Sequence, residues 1–167
     1  MDLVDLFFYY PMRRFGVREL GRLTSKNSKT VMKHLRSLVN HGIITRVKQR
    51  RRYPYYEANH LSKKYKLLKS IALLEKLATT GLIDFLEEKL SPSAIILFGS
   101  AQKGTYLKGS DIDLFIQGKE KHLDLALYEQ KLKHEIQLFF EEDLYNLTEG
   151  LRNNIISGST LCGGLKI

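Results

Sequence analysis

The chain predicts an α+β protein made of two unlike halves, and three observations carry that expectation. The first is charge. Residues 1–70 hold 17 Lys and Arg against 4 Asp and Glu, whereas residues 71–167 hold 10 against 14, so the net +9 joins a basic half to a slightly acidic one. Such a split points to different partners for the two halves. The second is order: apolar residues recur at helical spacing as far as Val39, and two short β-prone runs then flank a basic tip. The third is an apolar run ending in Gly99-Ser100, followed ten residues later by Asp111-Ile112-Asp113 inside a second apolar run.

In the basic half, Leu3, Val4, Leu6 and Phe7 predict a first helix closed by Pro11 and Gly16. Val17, Leu20 and Leu23 predict a second. After the polar turn Thr24-Ser25-Lys26-Asn27 a third begins near Ser28, burying Val31, Leu35, Leu38 and Val39 and stopping at Gly42. That phase leaves Lys29, Thr30, Lys33 and Arg36 toward solvent or a groove. Residues 43–48 and 53–57 are rich in β-formers around Gln49-Arg50-Arg51-Arg52, the pattern of a hairpin with a basic tip.

Three helices and then a hairpin is the winged helix-turn-helix order. Residues 15–46, in particular Val17-Arg18-Glu19-Leu20 and Ser28-Lys29-Thr30-Val31 through Leu38 to Gly42-Ile43-Ile44, resemble bacterial and archaeal winged-helix regulators. The resemblance implies a DNA-binding domain over residues 1–60. Ser28, Lys29, Thr30 and Lys33 would lie nearest the base edges, and Arg50, Arg51 and Arg52 would reach backbone or minor groove. A solvated basic face on a structural domain is the plainer reading. Lys and Arg supply affinity and little sequence information, so the DNA site is unreadable from the chain.

Residues 61–79 read as a connecting helix whose Leu67, Ile71, Leu74 and Ala78 are spaced 4, 3, 4. That stripe is either the seam of a homodimer or a face docked on one of the domains. Thr79-Thr80-Gly81 is the expected joint, and a helix over residues 82–90 ends at Ser91-Pro92.

The acidic half holds the chemistry. Ala94 to Phe98 form a short, continuous apolar run bounded by glycine, which reads as a buried strand opening into a loop that approaches a ligand closely. Residues 110–116 read as a second strand, on which alternation puts Asp111 and Asp113 on one face and Ile112, Leu114 and Ile116 on the other. Two adjacent carboxylates need compensation, and a hard divalent ion such as Mg²⁺ takes carboxylate oxygens together with substrate phosphates. The Gly-Ser turn supplies backbone N–H groups and a hydroxyl for phosphate oxygens.

Together these residues resemble the DNA polymerase beta-like nucleotidyltransferase superfamily, and most of all its minimal members, over about residues 80–167. The resemblance implies a small mixed β-sheet with helices. It also implies a triphosphate of ATP or another NTP on Gly99 and Ser100, Mg²⁺ on Asp111 and Asp113, and transfer of a nucleoside monophosphate with release of pyrophosphate. Because minimal relatives act as antitoxins that adenylylate a partner toxin, it makes a protein hydroxyl a candidate acceptor. Lys103, three residues past Ser100, is a candidate phosphate contact. Active relatives carry a third carboxylate on a later strand. Here that strand is expected over residues 134–140, where Gln137 holds the matching place and Glu135 lies one pleat away. Either Glu135 substitutes as a catalytic acid or the site has two acids. In the second case the rival reading applies: a winged-helix regulator whose degenerate transferase domain senses a nucleotide or mediates assembly.

Helices are expected over residues 123–132 and 144–156. Cys162 is alone, so disulfides play no part in the expected fold, which suits a reducing cytoplasm. The five histidines, at 34, 41, 60, 122 and 134, lack metal-ligand spacing and read as surface or structural. No apolar stretch approaches the roughly 20 residues that span a bilayer, and an N-terminus with Asp2 and Asp5 is not a signal peptide. A cytoplasmic protein without a membrane partner is the expectation.

Overall fold

The structure, a computed structural model, describes residues 2–50 and 52–166. It is a mixed α+β protein that divides into two compact units, Met1–Lys69 and Ser70–Ile167.

In the first unit, α1 (Leu3–Tyr9), α2 (Val17–Thr24) and α3 (Ser28–Asn40) precede an antiparallel hairpin of β1 (Ile44–Gln49) and β2 (Arg52–Ala58). Local chemistry sets the helix boundaries. The Glu19 carboxylate accepts from the Gly16 N–H at the start of α2, and Asn27 Oδ1 accepts from the Thr30 N–H at the start of α3. Gly42, at φ +70°, lets the chain leave α3 for the hairpin. Val31 and Leu35 are buried as their spacing requires, whereas Leu38 and Val39 are only half-buried. The core gathers Leu3, Phe7, Phe15, Leu20, Val31, Leu35 and Tyr56, with Phe7 and Phe15 edge to face at 5.2 Å. Phe15 also forms a single antiparallel bridge to Tyr56, on the side of β2 away from β1.

The connecting helix α4 is Lys63–Thr80, and the division between the units falls inside it rather than at its end. Tyr65, Leu73 and Leu77 are buried, while Leu67 and Ile71 of the 4, 3, 4 stripe are exposed.

The second unit continues through α5 (Leu82–Leu90), β3 (Ala94–Phe98), α6 (Gly99–Gln102), β4 (Ile112–Gln117), α7 (Ala126–Leu132), β5 (Ile136–Glu141), α8 (Glu149–Ile156) and β6 (Ser159–Gly163). The sheet order is β5-β4-β3-β6; β4 and β5 run parallel, and β3 is antiparallel to both of its neighbours. Apolar residues cover both faces, so β3 and β4 read as near-continuous hydrophobic runs. Ile95, Leu97, Ile112, Leu114 and Ile116 pack with Leu73, Leu77, Leu82 and Leu86 on one face. Ala94, Ile96, Phe98 and Phe115 pack with Leu144 and Ile155 on the other. Burying each large aliphatic or aromatic side chain is worth about 1.5–3 kcal/mol, and that packing fixes the strand ends on which the acids sit.

Several sequence expectations change. The helix expected over residues 123–132 begins at Ala126, whose N–H donates to Asp124 Oδ1, and the strand expected over residues 134–140 is β5, Ile136–Glu141, which leaves Glu135 ahead of it. The strand expected from residue 110 begins at Ile112, because β4 pairs with β5 from Ile112 opposite Ile136, so Asp111 lies just ahead of the ladder. The helix expected over residues 144–156 is broken into a 3-10 turn, Leu144–Asn146, and α8. Strand β6 was not expected at all. Arg51 of the basic tip lies outside the described residues.

Candidate functional site

The site is built where β3 ends. Register opposes Phe98 to Asp113, so the turn after Phe98 passes directly over the Asp113 carboxylate. Gly99 makes this turn with φ +71°, and a Cβ at Gly99 would strike Asp113 Oδ2. Glycine is therefore required twice, for the left-handed backbone and for the space the acid occupies. The sequence gives only a small residue near a ligand; that its neighbour is the second aspartate follows from the strand register.

Burial first, and the Asp111 carboxylate second, push the Asp113 carboxyl above the ordinary aspartate range. Among the described residues the side chain of Asp113 makes no hydrogen bond or ion pair, and the charge that acts on its carboxyl is that of Asp111. Asp111 Oδ2 accepts one hydrogen bond, from Gln137 Nε2 at 2.8 Å. Gln137 is the in-register neighbour of Asp113 on β5, so a neutral amide stands beside both acids.

The remaining expected residues divide. The Ser100 hydroxyl makes no hydrogen bond among the described residues, while its carbonyl accepts from the Thr105 N–H at 3.0 Å. Lys103 is exposed, and its Nζ donates to Asn154 Oδ1 on α8 at 3.4 Å. Glu135 is exposed just before β5, and its backbone carbonyl accepts from the Ile112 N–H at 2.9 Å. No group of three or more His, Cys, Asp or Glu among the described residues is placed to hold a metal ion, so Glu135 does not join the two aspartates in a three-acid cluster. What the geometry does bring together is Gly99, Asp111, Asp113 and Gln137. Two hard, uncompensated carboxylates beside an open turn suit a divalent cation whose other ligands are phosphate and water oxygens.

Sequence reasoning left one residue outside the site. His134 is buried, and its Nδ1 lies 2.7 Å from the carbonyl oxygen of Ser110, the residue before Asp111. Its place next to Glu135, at the start of the stretch expected to carry the third acid, was the available signal.

In the first unit, Lys29, Thr30, Lys33 and Arg36 line one groove along α3. Ser28 lines a different one, with Arg18, Arg22 and Tyr53. Arg50 is exposed at the hairpin turn, and Arg52 opens β2. Three of the unit's four acids form ion pairs: Glu19, which lines the same groove as Ser28, with Arg13 at 2.6 Å, Glu57 with Arg14 at 3.1 Å and Asp2 with Lys26 at 3.3 Å.

No helix among the described residues is long and apolar enough to cross a membrane. In comparisons with known proteins, no curated protein and no solved structure matches the chain. A family model does match: residues 80–158, which contain the Gly99-Ser100 turn, both aspartates and Gln137, are similar to the nucleotidyltransferase domain.

Proposed function

We propose that the second unit binds a magnesium–nucleoside triphosphate and transfers its nucleoside monophosphate, with pyrophosphate leaving, to an acceptor that includes a protein hydroxyl among its candidates. The family match supports a nucleoside triphosphate as substrate and, with it, a divalent metal. The observation that carries the reading is the uncompensated pair Asp111 and Asp113, the latter held against Gly99 and raised in pKa. Asp111 and Asp113 would hold the metal, which supplies charge neutralisation on the phosphate oxygens when bound. The Ser100 hydroxyl, free of partners among the described residues, would donate to a phosphate oxygen. Gln137 orients the Asp111 carboxylate. Catalysis of this kind rests on positioning and electrostatics, so a rigidly held carboxylate pair is the part the fold must provide.

The first unit is read as a winged helix-turn-helix that binds DNA through α3. Support comes from Lys29, Lys33 and Arg36 lining one groove while the unit's glutamates pair with other cations. Such a face attracts phosphate through counterion release.

Gln137 favours a second reading of the transferase unit. An amide beside Asp113 can accept no proton from an attacking hydroxyl, so the unit would bind nucleotide and turn over slowly or not at all, as a sensor does. Release of pyrophosphate from ATP or GTP, with candidate acceptors present, separates the two. Release that disappears in the Asp111→Asn, Asp113→Asn variant supports transfer. Binding without release supports the sensor, and absence of binding removes both.

A further inference from the structure

We infer that His134 is a positioning residue for Asp111, holding the acid through the Ser110 carbonyl; the inference rests on the nucleotide-site reading above. Asp111 precedes the first ladder residue of β4, so the sheet does not fix it on its N-terminal side. The fold fixes it there by other means. Leu107 and Ser110 close a tight turn by two hydrogen bonds, Leu107 N–H to Ser110 Oγ at 2.9 Å and Ser110 N–H to Leu107 O at 3.0 Å. Gly109 makes this turn with φ +83°. The turn is thereby a small rigid body whose last carbonyl, that of Ser110, accepts from His134 Nδ1 at 2.7 Å. On the far side of Asp111, the Ile112 N–H donates to the Glu135 carbonyl at 2.9 Å. Adjacent residues of the β5 approach therefore grip the chain on both sides of Asp111, and Gln137 holds its carboxylate.

A carbonyl only accepts, so the contact fixes the imidazole with its proton on Nδ1. The ring is also set edge-on to buried Tyr106, with centroids 5.3 Å apart and planes at 82°. A residue that merely filled space here would need no donor. The geometry assigns His134 one, aimed at the peptide that carries Asp111.

The test is a pair of variants in the full chain. His134→Asn keeps an N–H donor at the same number of bonds from the backbone; His134→Leu keeps bulk and loses the donor. Both are titrated with Mg²⁺-ATP and followed by hydrogen exchange over residues 107–112. Loss of one buried hydrogen bond corresponds to about a tenfold effect. We expect His134→Leu to weaken Mg²⁺-ATP binding about tenfold and to raise exchange over residues 107–112 by a similar factor, with His134→Asn close to wild type in both. Equal binding by His134→Leu and wild type overturns the inference, as does equal loss in both variants. If wild type binds no Mg²⁺-ATP, the site reading fails on its own. Hydrogen exchange then decides the positioning alone, and unchanged exchange in His134→Leu overturns it.

Discussion

Replacing Gly99 by alanine tests the contact on which the site is built. Two costs should appear. The first is backbone strain, because φ +71° is a left-handed conformation that costs an L residue about 1–2 kcal/mol. The second is steric: the new Cβ meets Asp113 Oδ2, and relieving that contact moves either the carboxylate or the turn. Overpacking of this kind costs about 1–3 kcal/mol. Gly109→Ala isolates the first cost, since Gly109 has φ +83° and nothing within 4 Å of an added Cβ. The difference between the two variants is therefore the steric cost alone, about 1–3 kcal/mol. In a domain of this size each kcal/mol lowers Tm by about 4–8 °C, so Gly99→Ala should melt clearly below Gly109→Ala. The assay is thermal unfolding by circular dichroism, paired with titration of Mg²⁺-ATP. Gly99→Ala should also lose nucleotide affinity, because the displaced group is a proposed metal ligand. If Gly99→Ala melts with Gly109→Ala and binds as wild type does, the turn does not rest on Asp113.

Other perturbations read other parts of the account. Asp113 has its carboxyl raised by burial and by Asp111, so its stabilising contribution is complete below the ordinary aspartate value of about 3.9 and is lost as pH rises through the higher folded value. Asp113→Asn should therefore raise Tm at pH 7, with the gain shrinking toward pH 4 in melting curves taken without divalent ions. A lower Tm at pH 7 would contradict the linkage. Replacing Lys29, Lys33 and Arg36 together by alanine should weaken duplex DNA binding and flatten its salt dependence by about 0.9 per lost phosphate contact, as measured by fluorescence anisotropy; an unchanged slope would take α3 out of the interface. The Cys162 thiol donates to Glu87 Oε1 at 2.6 Å and, through burial and that carboxylate, is pushed up to about 11. It should react with iodoacetamide at pH 8 about a hundredfold more slowly than an ordinary cysteine, and Glu87→Gln should speed it.

The site was legible to the extent that its signals are local. An apolar run, a glycine and alternating acids sit within twenty residues, and each states its own backbone conformation. The same holds for α3, whose cap at Asn27 and stop at Gly42 are one-residue signals. Long-range register was not legible. That Gly99 bears on Asp113, and that Gln137 neighbours it, depend on how β3, β4 and β5 align. Strand β6 escaped notice because Ser159-Thr160-Leu161-Cys162-Gly163 neither alternates nor runs apolar; it is a strand because β3 pairs with it, through an irregularity between Ile95 and Ile96. The helix break at Leu147-Thr148 was hidden by apolar residues that stay in phase across it, although Thr148 is an acceptable N-cap. His134 was passed over because its partner is a backbone carbonyl, which leaves no trace in side-chain spacing.

The central claim is a metal–nucleotide site on Asp111 and Asp113. Calorimetric titration of ATP and of GTP, each with Mg²⁺, into the wild-type protein and the Asp111→Asn, Asp113→Asn variant tests it most directly. The account predicts saturable binding of at least one nucleotide to wild type that is lost both in the variant and on chelating the metal. Binding that survives the double substitution, or no binding by wild type, would contradict it.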